Sequence, residues 1–517
     1  SEVADPADNW QARFVEIYNP GQDTVDFSQD TFYLCKQSNG GSSWGDIQLA
    51  GIILPGKTYV VAYSTSAFNT AYGFDPDLSS GNINGNGDDG YFLYQGGDHE
   101  TGVLVDAFGV LDQDGTGTSW EYLDTKAVRN YDNTSPSAVW DSLGWSIRLS
   151  AVTSQMSPLS HLDTLIWNGS SDNDWDLASN WSYSGYIPDA SNNIIIPTGL
   201  ANYPTLIAEA YCHDIILEAD SNGTATLVGV EHLNSNGTSS ISRFIYGGTN
   251  SKDDPDAVYY YAGSPVDTIS AIQVFPATTY VREWDEVNQQ WVNLTANDHL
   301  LPGKGYSAWL AGGDTAVCFS GNFIKTDLSS ALTYTTGGTA NPAYDGYNLV
   351  GNPFPSGLDW DAGSWVKNDL DASIALWNGS AGNYLYWNGT LGGISNGIIP
   401  PCQGFFIKAN NSSPQITLPL DACVHSNTAY YKNVYTMDNV LKLEVSGGDF
   451  HFSDQLYFGF NESSTTGFDT QFDALKLSGL TNAPQLYTVS VDSLQLSISF
   501  NPLLHYLEIP VGFNTGY

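Results

Sequence analysis

Basic residues are scarce in this chain: Lys and Arg number 16 against 56 Asp and Glu, a formal net charge of −40 over 517 residues. A surface of that sign repels phosphodiester backbones and anionic lipid, and it lacks the cationic footprint that supplies non-specific nucleic-acid affinity. No nucleic-acid partner and no membrane insertion are expected. Charged residues together make only 14%, where roughly 25% is usual, and the deficit is on the basic side. The five cysteines, Cys35, Cys212, Cys318, Cys402 and Cys423, are too few and too scattered for a disulfide scaffold, and no CxxC spacing suggests zinc. They leave room for one bridge, Cys402 to Cys423, or for buried free thiols. The eight histidines include no HExxH and no pair at ligand spacing, which argues against a zinc catalyst. No apolar run approaches the ~18–20 residues that span a bilayer. The sequence opens on Ser1 without a signal peptide, as a mature or excised segment would. Helical periodicity is nearly absent.

What is present is aromatic and alternating. Trp, Tyr and Phe number 15, 31 and 22, and hydrophobic residues reach 41%, too many for a disordered acidic tail. The length predicts about three or four domains. Period-two alternation recurs, as in Leu494, Leu496, Ile498 and Phe500, and in Leu441, Leu443 and Val445, the pattern of half-buried strands. Nine Asn-Gly pairs begin at Asn39, Asn84, Asn86, Asn168, Asn222, Asn236, Asn378, Asn388 and Asn396, and Asn-Gly is the strongest short-range signal for a type I′ hairpin turn. With 52 Gly and 23 Pro between short strands, the expected fold is all-β, in tandem β-sandwich domains. Composition places joints at 149–161, 247–256 and 425–437, hence units at 1–150, 161–246, 257–428 and 437–517. The Trp-Asn-Gly-Ser/Thr tetrapeptides at Trp167, Trp377 and Trp387 are a local echo rather than a full repeat.

The first 150 residues resemble a lamin-tail domain of the bacterial, extracellular kind. The resemblance rests on Phe14 to Pro20, Ile53 to Gly56, the Asn86-Gly87-Asp88-Asp89-Gly90 turn leading to Tyr94, Val105 to Gly109, Thr118 to Glu121, and Val128-Arg129. It implies an immunoglobulin-like sandwich used for interaction rather than catalysis. Residues 165–517 are similar to the non-catalytic tail regions of type IX secretion cargo. Trp167-Asn168-Gly169, Asp174-Trp175, Asn180-Trp181, Asn202-Tyr203-Pro204, Tyr347 to Pro355, Pro401 to Phe406 and Phe468 to Ala474 carry that likeness in order. It implies secretion or a place on the surface of a Gram-negative cell, and no reaction. Against that pattern, only Ser1-Glu2-Val3 stands where a full first strand is expected, and the last unit stops at Val511-Gly512-Phe513. The expectation is either an excerpt of a longer chain or edges completed by another copy.

Chemistry-bearing patterns are few. Gly85 to Gly90 fits GxGxxG, but two carboxylates stand inside it and a strand follows, which repels phosphate. Gly41-Ser42-Ser43-Trp44-Gly45 fits GxSxG without the sheet and helix of a nucleophile elbow. Asp172, Asp174 and Asp176, and the pair Asp112 and Asp114, place carboxylates at alternating loop positions that suit Ca²⁺, although neither run completes an EF-hand. The competing reading is Asx turns. Trp284, Trp291, Trp309, Trp377 and Trp387 would stack on sugar rings if exposed, or pack in the core if not. Six Asp-Ser/Thr-aliphatic triplets present Thr24, Ser142, Thr164, Thr268, Thr315 and Ser493 as O-linked glycosylation acceptors. A sequon stands at Asn133. No residue is assigned to catalysis. The expected function is a non-enzymatic extracellular structural or adhesive array, either a stalk or a filament subunit assembled through strand edges, with itself or other surface proteins and glycans as partners. The alternatives are accessory domains of a secreted hydrolase or nuclease, and a calcium-dependent glycan-binding module.

Overall fold

A computed structural model describes residues 1–21, 23–129, 135–147, 151–158, 164–181, 187–190, 192–247, 251–254, 257–275, 279–295, 297–337, 341–426, 440–447, 451–504 and 507–515. The chain is all-β: among the described residues short strands dominate, and the two α-helices are Thr65–Tyr72 and Ala271–Val274. No helix there is long and apolar enough to cross a membrane. Two compact units form, one of Ser1–Leu165 with Pro188–Asn193, the other of Ile166–Ile187 with Ile194–Tyr517.

The first unit holds two large sheets, beside the short pair Val25–Asp26 with Ile52–Ile53. One runs in the order Trp145–Ile147, Lys126–Arg129, Glu2–Ala4, Phe14–Tyr18, Thr58–Ala62, Leu78–Ser79, and the other Val103–Phe108, Gly90–Gln95, Phe32–Gln37, Trp44–Gln48. Strand alternation sends Val3, Val15 and Val61 into one cluster with Leu34, Ile47, Tyr91 and Phe108. Ala4, Phe14, Val60 and Ala62 face the other way, onto Phe68 of the helix and onto Ala151 and Met156. Burial on both faces explains why Thr58–Ala62 reads as a continuous apolar run. The helix is placed by ordinary caps, Ser64 accepting from Ala67 N–H and Gly73 closing it at φ 82°. Residues 151–158, read from composition as part of a joint, pack into this unit. Ser157 Oγ donates to buried Glu2 (2.6 Å) and accepts from Lys126 Nζ (2.6 Å), which also reaches Asp189 (2.6 Å).

The second unit begins with a coil. In place of two facing antiparallel sheets over 161–246, Asn193–Ile196, Ile215–Leu217 and Ser239–Ile245 lie side by side in parallel, Ile194 beside Ile215 and Ile215 beside Ser239. Ala210–Cys212 and Leu233–Ser235 form a second parallel stack, and Thr205 bridges Asp174 and Val228 in a third. Parallel neighbours on successive windings point side chains of the same rung inward, so Ile194, Ile196, Ile215, Leu217, Cys212, Leu227 and Leu233 are all buried. Trp167, Trp175 and Trp181 meet edge to face at the start of this coil, Trp181 contacting each of the others. An open coil end needs such a cap.

Beyond it, antiparallel sheets follow. Tyr260–Gly263, Gly305–Leu310, Thr279–Asp285 and Gln290–Asn293 make one, and Tyr347–Gly351, Gly404–Ala409, Leu370–Asn378 and Asn383–Trp387 another. The motifs between these strands are clamps. Asn352, fully buried, donates from Nδ2 to the carbonyls of Ser356 (2.9 Å), Ile399 (3.3 Å) and Pro400 (2.9 Å) and accepts from Phe354 N–H (3.0 Å). Gln403 Nε2 donates to the carbonyls of Tyr261 (3.0 Å) and Gly404 (2.9 Å). The last sheet runs Leu441–Gly447, Phe452–Phe460, Gln495–Asn501, Gln485–Val489, Val511–Asn514, with Ala474–Leu475 also on Gln495–Asn501. Asn383 Nδ2 ties it to the preceding sheet through the carbonyls of Ser453 and Pro484, both at 2.9 Å.

Two expectations change. Only Asn39-Gly40 and Asn396-Gly397 have both residues at positive φ, the type I′ requirement. At three others the Asn side chain closes the turn itself, Asn168 on Ser170 N–H (2.8 Å), Asn378 on Ala381 N–H (3.3 Å) and Asn388 on Leu391 N–H (2.7 Å). All five cysteines are free thiols, Cys402 and Cys423 included. Burial pushes the thiols of Cys212, Cys402 and Cys423 up to about 12, and such thiols are inert.

Candidate functional site

The acidic turns are occupied by their own backbone. Asp172 accepts from Asp174 N–H (2.9 Å) and from Asn180 Nδ2 (2.8 Å), and Asp174 accepts from Asp176 N–H (3.0 Å). These are consecutive Asx turns, pinned by Asn180, whose Oδ1 takes the N–H groups of Ser171 and Asp172. Burial, then the Asp174 charge, raises the Asp176 carboxyl. Asp112, at φ 59°, exchanges two hydrogen bonds with the Gln37 amide (2.8 and 2.9 Å). Asp114 accepts from Thr116 N–H (2.9 Å), which lowers it. The structure brings one acidic neighbour to this loop that the sequence did not suggest: Gly115 N–H donates to the Asp88 carbonyl (3.0 Å), so the Asp88-Asp89 turn lies against it. Burial, then the charges of Asp89 and Asp114, raises Asp88. Asp89 is neutralised by Lys36 at 3.3 Å. Among the described residues no three His, Cys, Asp or Glu side chains converge to hold a metal ion. The glycines of the GxGxxG run serve packing, since a Cβ at Gly87 would sit 2.3 Å from the Leu123 backbone.

The five tryptophans are building material. Trp309, Trp377 and Trp387 are buried, and Trp284 and Trp291 are half-buried in a ring cluster with Tyr261, Tyr384 and Phe406. Trp284 Nε1 donates to the Tyr347 carbonyl (2.8 Å) and Trp387 Nε1 to Asp361 (2.9 Å). Arg282 lies over the rings of Tyr259 (4.2 Å) and Trp291 (4.7 Å), which uses the faces a sugar would need.

The hydroxyl acceptors differ in access. Thr24, Ser142, Thr268 and Ser493 are exposed, whereas Thr315 is half-buried at the start of a strand. Thr164 opens the strand Thr164–Ile166, but its side chain lies outside the described residues, as does the sequon at 133. Two of the paired aspartates hold the chain together: Asp141 accepts from Leu143 N–H within its own turn (3.0 Å), and Asp267 accepts from Asn322 Nδ2 of a distant segment (2.9 Å).

The best-formed interaction feature is the pair of edges on the last sheet. Among the described residues, Leu441–Gly447 pairs only with Phe452–Phe460, and Val511–Asn514 only with Gln485–Val489. Leu441, Val511 and Phe513 are each about half exposed on these edges, and Leu503 and Leu504 are exposed nearby. A free edge with apolar side chains is a template for another strand. Sequence alternation located Leu441–Gly447 but not Val511–Asn514, and that no other described strand pairs with their outer sides was not legible in it.

Fold and surface define an all-β protein of many small sheets, tied by buried polar clamps. Residues 220–515, more than half of the chain, match a family described as a domain of unknown function (DUF8693), and the chain belongs to that family. No curated protein and no solved structure matches it.

Proposed function

We propose that this is a non-enzymatic structural or adhesive protein, secreted by or displayed on a Gram-negative cell, working as a stalk or filament subunit joined through the edges of its last sheet. The observation that carries the reading is the pair of open edge strands, Leu441–Gly447 and Val511–Asn514, with exposed Leu441, Val511 and Phe513. A charge of −40 suppresses indiscriminate association, which leaves specific edges to select a partner. The exposed Thr24, Ser142, Thr268 and Ser493 suit an O-glycosylated outer surface, and intact-mass analysis of native material detects or rejects hexose increments. Calcium at Asp172, Asp174 and Asp176 or at Asp112 and Asp114 would have to displace the backbone amides those carboxylates already hold.

Light scattering and negative-stain microscopy test the reading, each in calcium and in chelator. Concentration-dependent oligomers that Leu441→Asp and Phe513→Asp abolish are the expected result. Monomeric particles at all concentrations would refute edge assembly, and loss of order on chelation would place calcium in the joint.

A further inference from the structure

A cavity of about 340 Å³ opens between the two sheets of the first unit, within the size range of small-molecule sites. Ile17, Val25, Phe32, Leu93 and Trp145 line it, and all five are only partly buried although they belong to the sandwich core. Core side chains of a sandwich normally interdigitate to crystal-like density; here the facing sheets leave room for roughly ten waters.

The polar wall selects among occupants. Arg129 lines the cavity, with Nη2 on Asp106 (2.6 Å) and its guanidinium 5.0 Å from the Trp145 ring. Its Nε is buried and makes no hydrogen bond, a donor left over in a space lined mostly by apolar side chains. The positive charge is already matched by Asp106; Glu16 and the Ser1 ammonium also line the cavity, and burial lowers that ammonium to about 6, which leaves it uncharged at pH 8. An anion would therefore meet net negative charge, inside a chain of −40.

We propose that this cavity binds a neutral lipophilic molecule of about ten to twelve carbons that carries one hydrogen-bond acceptor, the acceptor meeting Arg129 Nε and the hydrocarbon lying among Ile17, Phe32, Leu93 and Trp145. This site is independent of the sheet edges and of assembly.

The test uses the full chain and a neutral fluorophore, N-phenyl-1-naphthylamine, displaced by 2-alkanones of increasing length. Affinity rises about fourfold per methylene and levels off near the length that fills the cavity. Leu93→Trp, which occupies the space, removes at least tenfold of the affinity, and Val25→Phe does the same from another strand should the first variant fold poorly. Arg129→Lys keeps the charge but loses the Nε donor, and weakens the ketone about fivefold while leaving the fluorophore, which lacks a carbonyl, unchanged. Undecanoate at pH 8 binds at least tenfold more weakly than 2-undecanone. Equal or tighter binding of undecanoate overturns the assignment of a neutral ligand, and fluorophore binding that ignores both cavity-filling variants overturns the site.

Discussion

Removing the ammonium of Lys476 should destabilise the last sheet by leaving Asp454 buried without its partner. The two side chains meet at 2.5 Å with relative exposures of 2% and 0%. Asp454 also accepts from Leu486 N–H (2.6 Å) and Gln455 N–H (2.9 Å). Burial already raises Asp454 and lowers Lys476 despite their mutual attraction, so desolvation dominates the site. Lys476→Met strands the carboxylate, for which about 3–5 kcal/mol is expected at pH 7. The loss has a sign in pH. With its partner gone, the folded-state Asp454 pKa stands further above the unfolded value near 3.9, so the folded form holds the proton more tightly. Stability is then retained at low pH and falls as pH rises, by up to about 1.4 kcal/mol per unit until the folded pKa is passed. Asp454→Asn combined with Lys476→Met removes both charges and should recover most of the loss. Because two units need not melt together, the readout is hydrogen exchange in Phe452–Phe460 and Gln495–Asn501, followed from pH 5 to 8. A single variant within about 1 kcal/mol of the parent, or a double variant as weak as the single, would refute the reasoning.

Other outcomes follow from the clamps. His425 sits between the hydroxyls of Thr205 (2.9 Å) and Thr226 (3.0 Å), and burial lowers it to about 4. Its folded pKa lies below the unfolded value near 6.5, so this stability is complete above about 6.5 and is lost as pH falls toward 4. About 2–3 kcal/mol is at stake after allowing for partial exposure, and urea titrations at pH 7 and 4.5 should lose that difference in His425→Gln. Asn352→Ala frees three buried carbonyls and should cost about 3 kcal/mol or more, whereas Asn352→Asp, which replaces the donors with a charge, should cost more still; the urea midpoint ranks them. Asp172→Ala opens one Asx turn and should lower stability by about 1 kcal/mol, equally in calcium and in chelator; a loss confined to calcium would mean the carboxylate holds the ion instead.

How much of this could be read beforehand differs from element to element. The strands Leu441–Gly447 and Gln495–Asn501 stand where alternation put them, because one buried face imposes a period of two on whatever residues supply it. Yet Ser497 and Ser499, which alternate with Leu496 and Ile498, are buried as well, so both faces of that strand are covered. The resemblance motifs were visible as strings, and only the fold shows that Asn352 and Gln403 act by holding carbonyls of other loops. The tryptophans announced aromatic contacts, but whether their faces met solvent or each other depended on the sheets behind them.

By itself the sequence determined the all-β class, the acidity and the local turns, because side-chain alternation, charge count and Asx geometry act within a few residues. Tertiary structure alone decided what joins distant segments. The parallel coil pairs Ile194 with Ile215 and Ile215 with Ser239, and parallel neighbours leave no hairpin signal between them. Lys126 finds Asp189 across 63 residues, a pairing driven by shared exclusion from water rather than by spacing. The open edges and the cavity beside Arg129 arise in the same way, since both are spaces that other parts of the chain leave uncovered, and no residue encodes a space alone.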